Sequence, residues 1–436
     1  MDPTLILILM FGGLTAFLLT GLPVAFVLGG LSVLFTVLLW DANALVLLII
    51  QIYDTMHSEA LLAIPLYIFM AILLQQSGVI GDLYRAMELW FGRVRGGLAI
   101  GTVVICIVMA AMTGVVGAAV TAMGILALPE MLRRGYNARL ATGTICASGT
   151  LGILIPPSVL TIVYSVTAQV SIGKMLIAGI VPGLLLGGLY ITYILVLCWL
   201  RPEMAPAQDG PRAPLRERLA ALTSLILPLM IITFVLGSIF FGIATPTEAA
   251  AVGVFGAAIA AGLRRNLTRA TLAGCCEGTI KATAMILWIT LGAKAYVAIF
   301  TGLGGADTLL GLISGLDVNR WVVLAVMMLL LIFLGTVLDE IGIILLTVPV
   351  FLPVIQHFQF DPIWFGVMFA VTIQMGYISP PFGYTLFYIK STLPPDVPMT
   401  TVYRGIFPFF ILQFIGLLIC AAFPGLMTWL PGIMGG

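Results

Sequence analysis

The sequence predicts an all-α polytopic membrane protein, and three observations predict it. Apolar residues fill 61% of the 436 positions and charged residues only 8%. A soluble domain carries about 25% charged residues, so this chain could not cover a water-facing surface. The apolar residues also gather in long blocks, near 5–21, 23–40, 58–77, 97–132, 138–170, 176–200, 220–240, 246–263, 280–301, 320–356, 362–392 and 402–424. Most of these reach or exceed the ~20 residues that one helical crossing needs. The net charge of +1 is scattered rather than gathered, which gives no footprint for nucleic acid.

Each block has its own reading. The stretch Leu5–Trp40 is about twice one span, and Gly21-Leu22-Pro23 divides it into two helices, so it is not a cleavable signal. Block 97–132 is interrupted by Thr113-Gly114-Val115-Val116-Gly117, which leaves two arms too short to cross. It predicts a re-entrant hairpin. Block 138–170 is interrupted at Gly149–Ser158 and predicts a broken but complete span. The stretch 201–219, with Pro202, Pro206, Pro211 and Pro214 among mixed charges, predicts a cytoplasmic linker. In the second half the same interruptions recur at Gly335–Gly342 in block 320–356 and at Gly376–Gly383 in block 362–392.

Two repeats follow, 1–200 and 220–436. Pro23 answers to Pro246 at 223 residues, Gly81-Asp82-Leu83 to Ala306-Asp307-Thr308 at 225, and Pro129 to Pro353 at 224. Pro156-Pro157 answers to Pro380-Pro381 at 224 and Pro182 to Pro408 at 226. Duplicated halves are a signature of secondary transporters. Each half holds scaffold helices (1–80 and 220–301), a hairpin (97–132 and 320–356), and a broken span (138–170 and 362–392). Counting a hairpin as no crossing gives five spans per repeat, so the second repeat is inverted.

With both termini outside, 16 of the 19 basic residues fall on the cytoplasmic side. They lie in Arg85–Arg95 (including Arg93), Arg133–Arg139, Arg201–Arg218 (including Arg212) and Arg264–Arg269, with Lys281, Lys390 and Arg404. This is the positive-inside bias. Only Lys174 and Arg320 fall outside, and Lys294 lies within a span, where it can snorkel. Treating 97–132 as two full spans would put the cluster of 201–218 outside, and that alternative is rejected.

Interrupted helices expose backbone groups that hydrocarbon cannot satisfy, so such breaks survive inside protein or beside a wet cavity. Carbonyls at a half-helix C-terminus suit an alkali cation, and a half-helix N-terminus suits an anion. The tip Thr113–Gly117 is expected to meet Gly152–Pro157, and the tip Gly335–Asp339 to meet Gly376–Pro381. Ordinary proline kinks with packing glycines are the competing reading. Asp339 and Glu340 follow the second tip inside an apolar block, where a carboxylate needs a partner or a task. Asp339 is expected to contact cargo, cation or the tip's own amides. Glu248, after Pro246, reads as a helix cap.

Other chemistries find no motif. His57 and His357 sit at block edges, and the six cysteines form no Cys-x-x-Cys pair or Cys/His cluster. No phosphate-binding Gly-x-x-x-x-Gly-Lys-Ser/Thr loop, no His-Glu-x-x-His and no Gly-x-Ser-x-Gly occurs. ATP is therefore not expected as the direct energy source; an intramembrane enzyme, and a channel, whose rings of charge are absent, stay as lesser alternatives.

Several strings carry a family resemblance. They are Ala63–Ile68 (AIPLYI), Leu128–Met131 (LPEM) with Arg134-Gly135-Tyr136, Ser148–Ser158 (SGTLGILIPPS), Leu338-Asp339 with Val348-Pro349, and Ser379–Gly383 (SPPFG). On these the chain resembles, nearly end to end, the large membrane subunit of tripartite ATP-independent periplasmic (TRAP) transporters. The resemblance implies a sodium-coupled elevator importer in a bacterial inner membrane. It implies one sodium site at Thr113, Gly114, Val115, Gly152, Ile155 and Pro157, and a second at Gly335, Thr336, Asp339, Gly376, Ser379 and Pro381. Many members carry Ser-Gly-Ser-Ser at the first tip, where this chain has Thr113-Gly114-Val115-Val116. Backbone carbonyls then supply more of that site. The cargo implied is a small organic acid, with Asp339, Thr150 and Ser158 expected to contact it. The partners implied are a small four-helix membrane subunit and a soluble periplasmic binding protein. A stand-alone sodium–dicarboxylate symporter of similar architecture is the alternative.

Overall fold

The computed structural model describes residues 2–92, 94–206, 214–314 and 318–434. Every extended regular element among the described residues is a helix. Hydrocarbon demands this, because each peptide N–H and C=O must find its partner within the segment. Among the described residues, eight helices are long and apolar enough to cross a membrane. Buried hydroxyls follow the same rule: Ser32, Thr36, Thr102, Ser148 and Thr347 each donate to the carbonyl four residues back. The outer surface keeps large apolar side chains exposed, among them Phe26, Trp199, Phe234, Ile243 and Leu263. A water-soluble monomer seldom exposes so continuous an apolar surface, whereas lipid covers it. The chain is a multi-pass membrane protein.

The apolar blocks correspond to helices, with informative differences. Short helices lie outside the blocks at Leu45–Met56, Val79–Phe91, Gly305–Ser314 and Gly425–Ile433. Val79–Phe91 buries Val79, Ile80, Leu83 and Met87 while carrying Asp82, Arg85 and Glu88. Its amphipathic pattern is diluted in a search for continuous apolar runs. The helix Leu215–Phe240 begins inside the expected linker, directly after Pro214. Residues 207–213, with Pro211 and Arg212, and Arg93 lie outside the described residues. The helix Arg269–Gly302 runs 34 residues and starts well before block 280–301. Glu248 closes a capping box with Thr245 at the start of Pro246–Leu263, as its position predicts.

Two packing groups position the candidate site. In the outer group, Val24–Leu39 packs along Arg269–Gly302, and Pro246–Leu263 packs along Ala63–Gln76. The inner group holds the two hairpins and the two broken helices. The first hairpin is Gly97–Thr113 with Val116–Arg133, and the second is Arg320–Gly335 with Glu340–His357. The first broken element is Ala138–Gly149, a 3-10 turn Thr150–Ile153, then Val159–Ala168; the second is Pro362–Ile378, then Tyr384–Lys390. These cross between halves. Val116–Arg133 of the first hairpin packs on Tyr384–Lys390, and Glu340–His357 of the second packs on Val159–Ala168. Neither half could keep its inner helices in place without the other.

Candidate functional site

At the first tip, the helix Gly97–Thr113 stops because Gly114 turns into the left-handed region, with φ of 59°. Glycine adopts that conformation without the Cβ penalty. Val115 is extended, and the next helix starts at Val116 with no side-chain cap. The tip rests on the first break. A Cβ on Gly114 would collide with the Pro157 carbonyl and stand 3.2 Å from Ser158 Cα. One on Gly152 would stand 3.6 Å from the Val115 nitrogen and 3.8 Å from the Gly114 carbonyl carbon. Thr113, Gly114, Val115, Gly152 and Pro157 are thus brought to one place. The Ile155 side chain packs away from it, against Gly183. Thr113 Oγ1 donates to Met109 O at 2.9 Å, which leaves its lone pairs free to accept.

Thr150 and Ser158 are fully buried and bonded within the fold. Ser158 caps the helix Val159–Ala168, and its Oγ donates to Ile153 O at 2.5 Å. Thr150 Oγ1 donates to Ala147 O at 2.8 Å and accepts from Gln413 Nε2 at 3.1 Å. It also stands 3.3 Å from Gln374 Oε1. Both hydroxyls hold the break in shape.

At the second tip, the helix Arg320–Gly335 ends against the second break, backbone on backbone. A Cβ on Gly376 would lie 2.8 Å from Gly335 Cα and 2.9 Å from Ile332 O. Asp339 is the N-cap of Glu340–His357, its Oδ2 accepting from Gly342 N at 3.1 Å. The Glu340 N–H donates to Tyr377 Oη at 2.6 Å. One carboxylate oxygen of Glu340, Oε2, is shut from solvent with no hydrogen-bond partner. Such an oxygen calls for a cation or a proton. Thr336 Oγ1 donates to Phe333 O and Ser379 Oγ to Met375 O, at 2.7 and 2.6 Å. Each keeps accepting capacity. Beside this tip lies a cavity of about 490 Å³ lined by Thr336, Val337, Phe382, Tyr384, Phe387 and Tyr388.

Both breaks contain a cis peptide between their two prolines. Between them lies a polar cluster that the sequence reading missed. Thr150, Gln374, Gln413 and Tyr190 are all fully buried. Thr150 and Gln374 stand 224 residues apart, the spacing of the proline pairs, and they touch. A signal was available, because Gln374 and Gln413 are the lone amides in blocks 362–392 and 402–424, and an amide at that depth needs a reason.

The chain matches the model of the family described as tripartite ATP-independent periplasmic transporter, DctM component, over residues 11–426. The chain belongs to this family. It is 32% identical to the C4-dicarboxylate TRAP transporter large permease protein DctM of Pseudomonas aeruginosa, covering 92% of each chain. It is 28% identical to the sialic acid TRAP transporter large permease protein SiaM of Vibrio cholerae, covering 98% of each. Among solved structures, the fold is similar to that of the YdaH transporter of Alcanivorax borkumensis. There the TM-score is 0.65 with 16% identity, over 98% of both chains. As a DctM component the chain is a TRAP transporter large permease, and not an enzyme.

Proposed function

We propose that this permease imports a small organic acid across a bacterial inner membrane, driven by a sodium gradient. The observation that carries the reading is the double seating of a helix-hairpin tip on a glycine–proline break, Gly114 on Pro157 and Gly335 on Gly376. Each seating leaves half-helix carbonyls and amides at a junction between elements, where a cation and an anion find opposite ends of the backbone dipole. Sodium site one takes Thr113, Gly114, Val115, Gly152, Ile155 and Pro157, mostly through carbonyls, which leaves the Ile155 side chain free to pack elsewhere. Sodium site two takes Gly335, Thr336, Asp339, Gly376, Ser379 and Pro381, and the unpartnered Glu340 oxygen adds charge there. Asp339 then serves as helix cap and lies next to the cargo. Thr150 and Ser158 act on cargo through the shape of the break.

The same reading takes 1–200 and 220–436 as inverted repeats of five spans, with re-entrant hairpins and both termini periplasmic. The contact of Thr150 with Gln374 supports a two-fold relation. The crosswise packing of hairpins on broken helices makes the inner group one body, able to move against the outer helices in an elevator step. A small membrane subunit braces the outer group, and a periplasmic binding protein delivers the acid. The names of the relatives, C4-dicarboxylate and sialic acid permeases, support a carboxylate cargo.

The test is uptake of candidate acids into proteoliposomes holding the chain and its small subunit, with and without the binding protein. Uptake is expected only with an inward sodium gradient and the binding protein present. Equal uptake under potassium would overturn sodium coupling. Uptake undiminished without the binding protein would make the chain a stand-alone symporter.

A further inference from the structure

The cavity beside the second tip has a composition that neither the repeat nor the backbone device requires. Four of its six lining residues are aromatic: Phe382, Tyr384, Phe387 and Tyr388. No lysine or arginine lines it. Phe382 and Phe387 line the cavity and are 56% and 58% exposed, so their rings are not packed into the core. Tyr388 is fixed from behind, because a Cβ on Gly117 of the first hairpin would stand 2.5 to 2.9 Å from its ring. Tyr384 is fixed too, stacked on Tyr377 with centroids 5.0 Å apart. The hydroxyls of Tyr384 and Tyr388 make no hydrogen bond within the described residues, which leaves two phenolic donors at the wall. Rigid aromatic faces with a few placed donors suit a flat apolar body carrying one polar end. A polyhydroxylated acid or a short dicarboxylate would leave those rings facing polar groups.

We propose that this cavity is the cargo subsite and that the acid it takes is an aryl carboxylate. The ring lies among Phe382, Phe387 and Tyr388, and the carboxylate accepts from the Tyr384 and Tyr388 hydroxyls. Asp339 and Glu340 follow the wall residues Thr336 and Val337 along the chain. Sodium at the second site offsets their charge and admits the anion, so cargo and cation bind together. This inference rests on the proposed function and narrows its cargo.

The experiment is calorimetric titration of the full-length chain in detergent with benzoate, succinate, N-acetylneuraminate and 2-phenylethylamine, each in sodium and in potassium chloride. Benzoate in sodium is expected to bind about tenfold or more tightly than succinate, with little binding in potassium. Tyr388→Phe removes one donor and should weaken benzoate by about three- to tenfold, and Phe382→Ala should do the same by removing a ring face. The sodium-induced rise in melting temperature, retained in both variants, shows that they fold. Tighter sodium-dependent binding of succinate or N-acetylneuraminate, still weakened by both variants, overturns the aryl assignment and leaves the site reading standing. Tighter binding of 2-phenylethylamine overturns the carboxylate. Sodium-dependent acid binding untouched by either variant removes the cargo from this cavity, and the proposed site falls with it. Absence of saturable benzoate binding in sodium overturns the inference outright.

Discussion

The two tip-and-break junctions are the same backbone device furnished with different side chains. At the first, Gly114 and Gly152 meet among the uncharged residues Thr113, Val115 and Pro157. At the second, Gly335 and Gly376 meet beside Asp339 and Glu340, and an aromatic cavity opens alongside. The backbone arrangement is shared by the two junctions, while the side chains around it differ. The first junction can offer a cation little besides carbonyl oxygens. The second can hold a cation with charge and a passenger with surface. On the proposed function, the neutral junction is the purely ionic site and the acidic one couples ion to cargo.

Substitutions at matched positions can break that comparison, and the largest effect should come at Gly376. Even one methyl there overlaps Gly335 Cα, so Gly376→Leu should separate the tip from the break and abolish sodium-dependent uptake. Overpacking on this scale costs about 1–3 kcal/mol or more, which a lowered melting temperature would register. Gly152→Ala, its counterpart, meets nothing closer than 3.6 Å and should keep near-normal uptake. If Gly376→Ala and Gly152→Ala behaved alike in uptake, the two junctions would not differ as the geometry says.

Next in size, Glu340→Gln should weaken apparent sodium affinity by about tenfold, the equivalent of ~1.4 kcal/mol, while uptake at saturating sodium recovers. Asp339→Asn keeps a competent N-cap, since Asn caps about as well as Asp. A drop in uptake with an unchanged melting temperature would therefore assign the carboxylate to transport, and normal kinetics would leave it a cap. Gln374→Leu removes an amide from the buried cluster that joins the two breaks. Loss of its contact to Thr150 should destabilise by about 1–3 kcal/mol, read by thermal unfolding in detergent. Smallest of all, Thr113→Val should raise the sodium concentration for half-maximal uptake by about threefold, because carbonyls carry most of the first site.

Much of this was legible in the chain. The breaks announced themselves through paired prolines flanked by glycine, residues that end helices for local steric reasons. The recurrence of the breaks was legible because Gly and Pro landmarks keep their spacing while the apolar filler drifts. Asp339 stood out because carboxylates are rare in apolar blocks. The partners of these residues were not legible. Nothing in the sequence says that Thr150 would lie under Gln413, or that Tyr388 would stand against Gly117. Both are contacts across more than 260 residues. Aromatic residues are also ordinary in membrane helices, so Phe382, Tyr384, Phe387 and Tyr388 gave no sign of sharing a wall.

By itself, then, the sequence determined most of the long helices, the glycine–proline breaks that interrupt them and that those breaks recur. Those properties depend on neighbours along the chain: hydropathy over one span, a missing N–H, a φ that only glycine takes cheaply. Only the tertiary structure decided which helix end faces which break, which hydroxyls are engaged inside the fold, and which rings are left bare. Those depend on close approach between distant segments, set by packing of two interlocked halves that no local rule encodes.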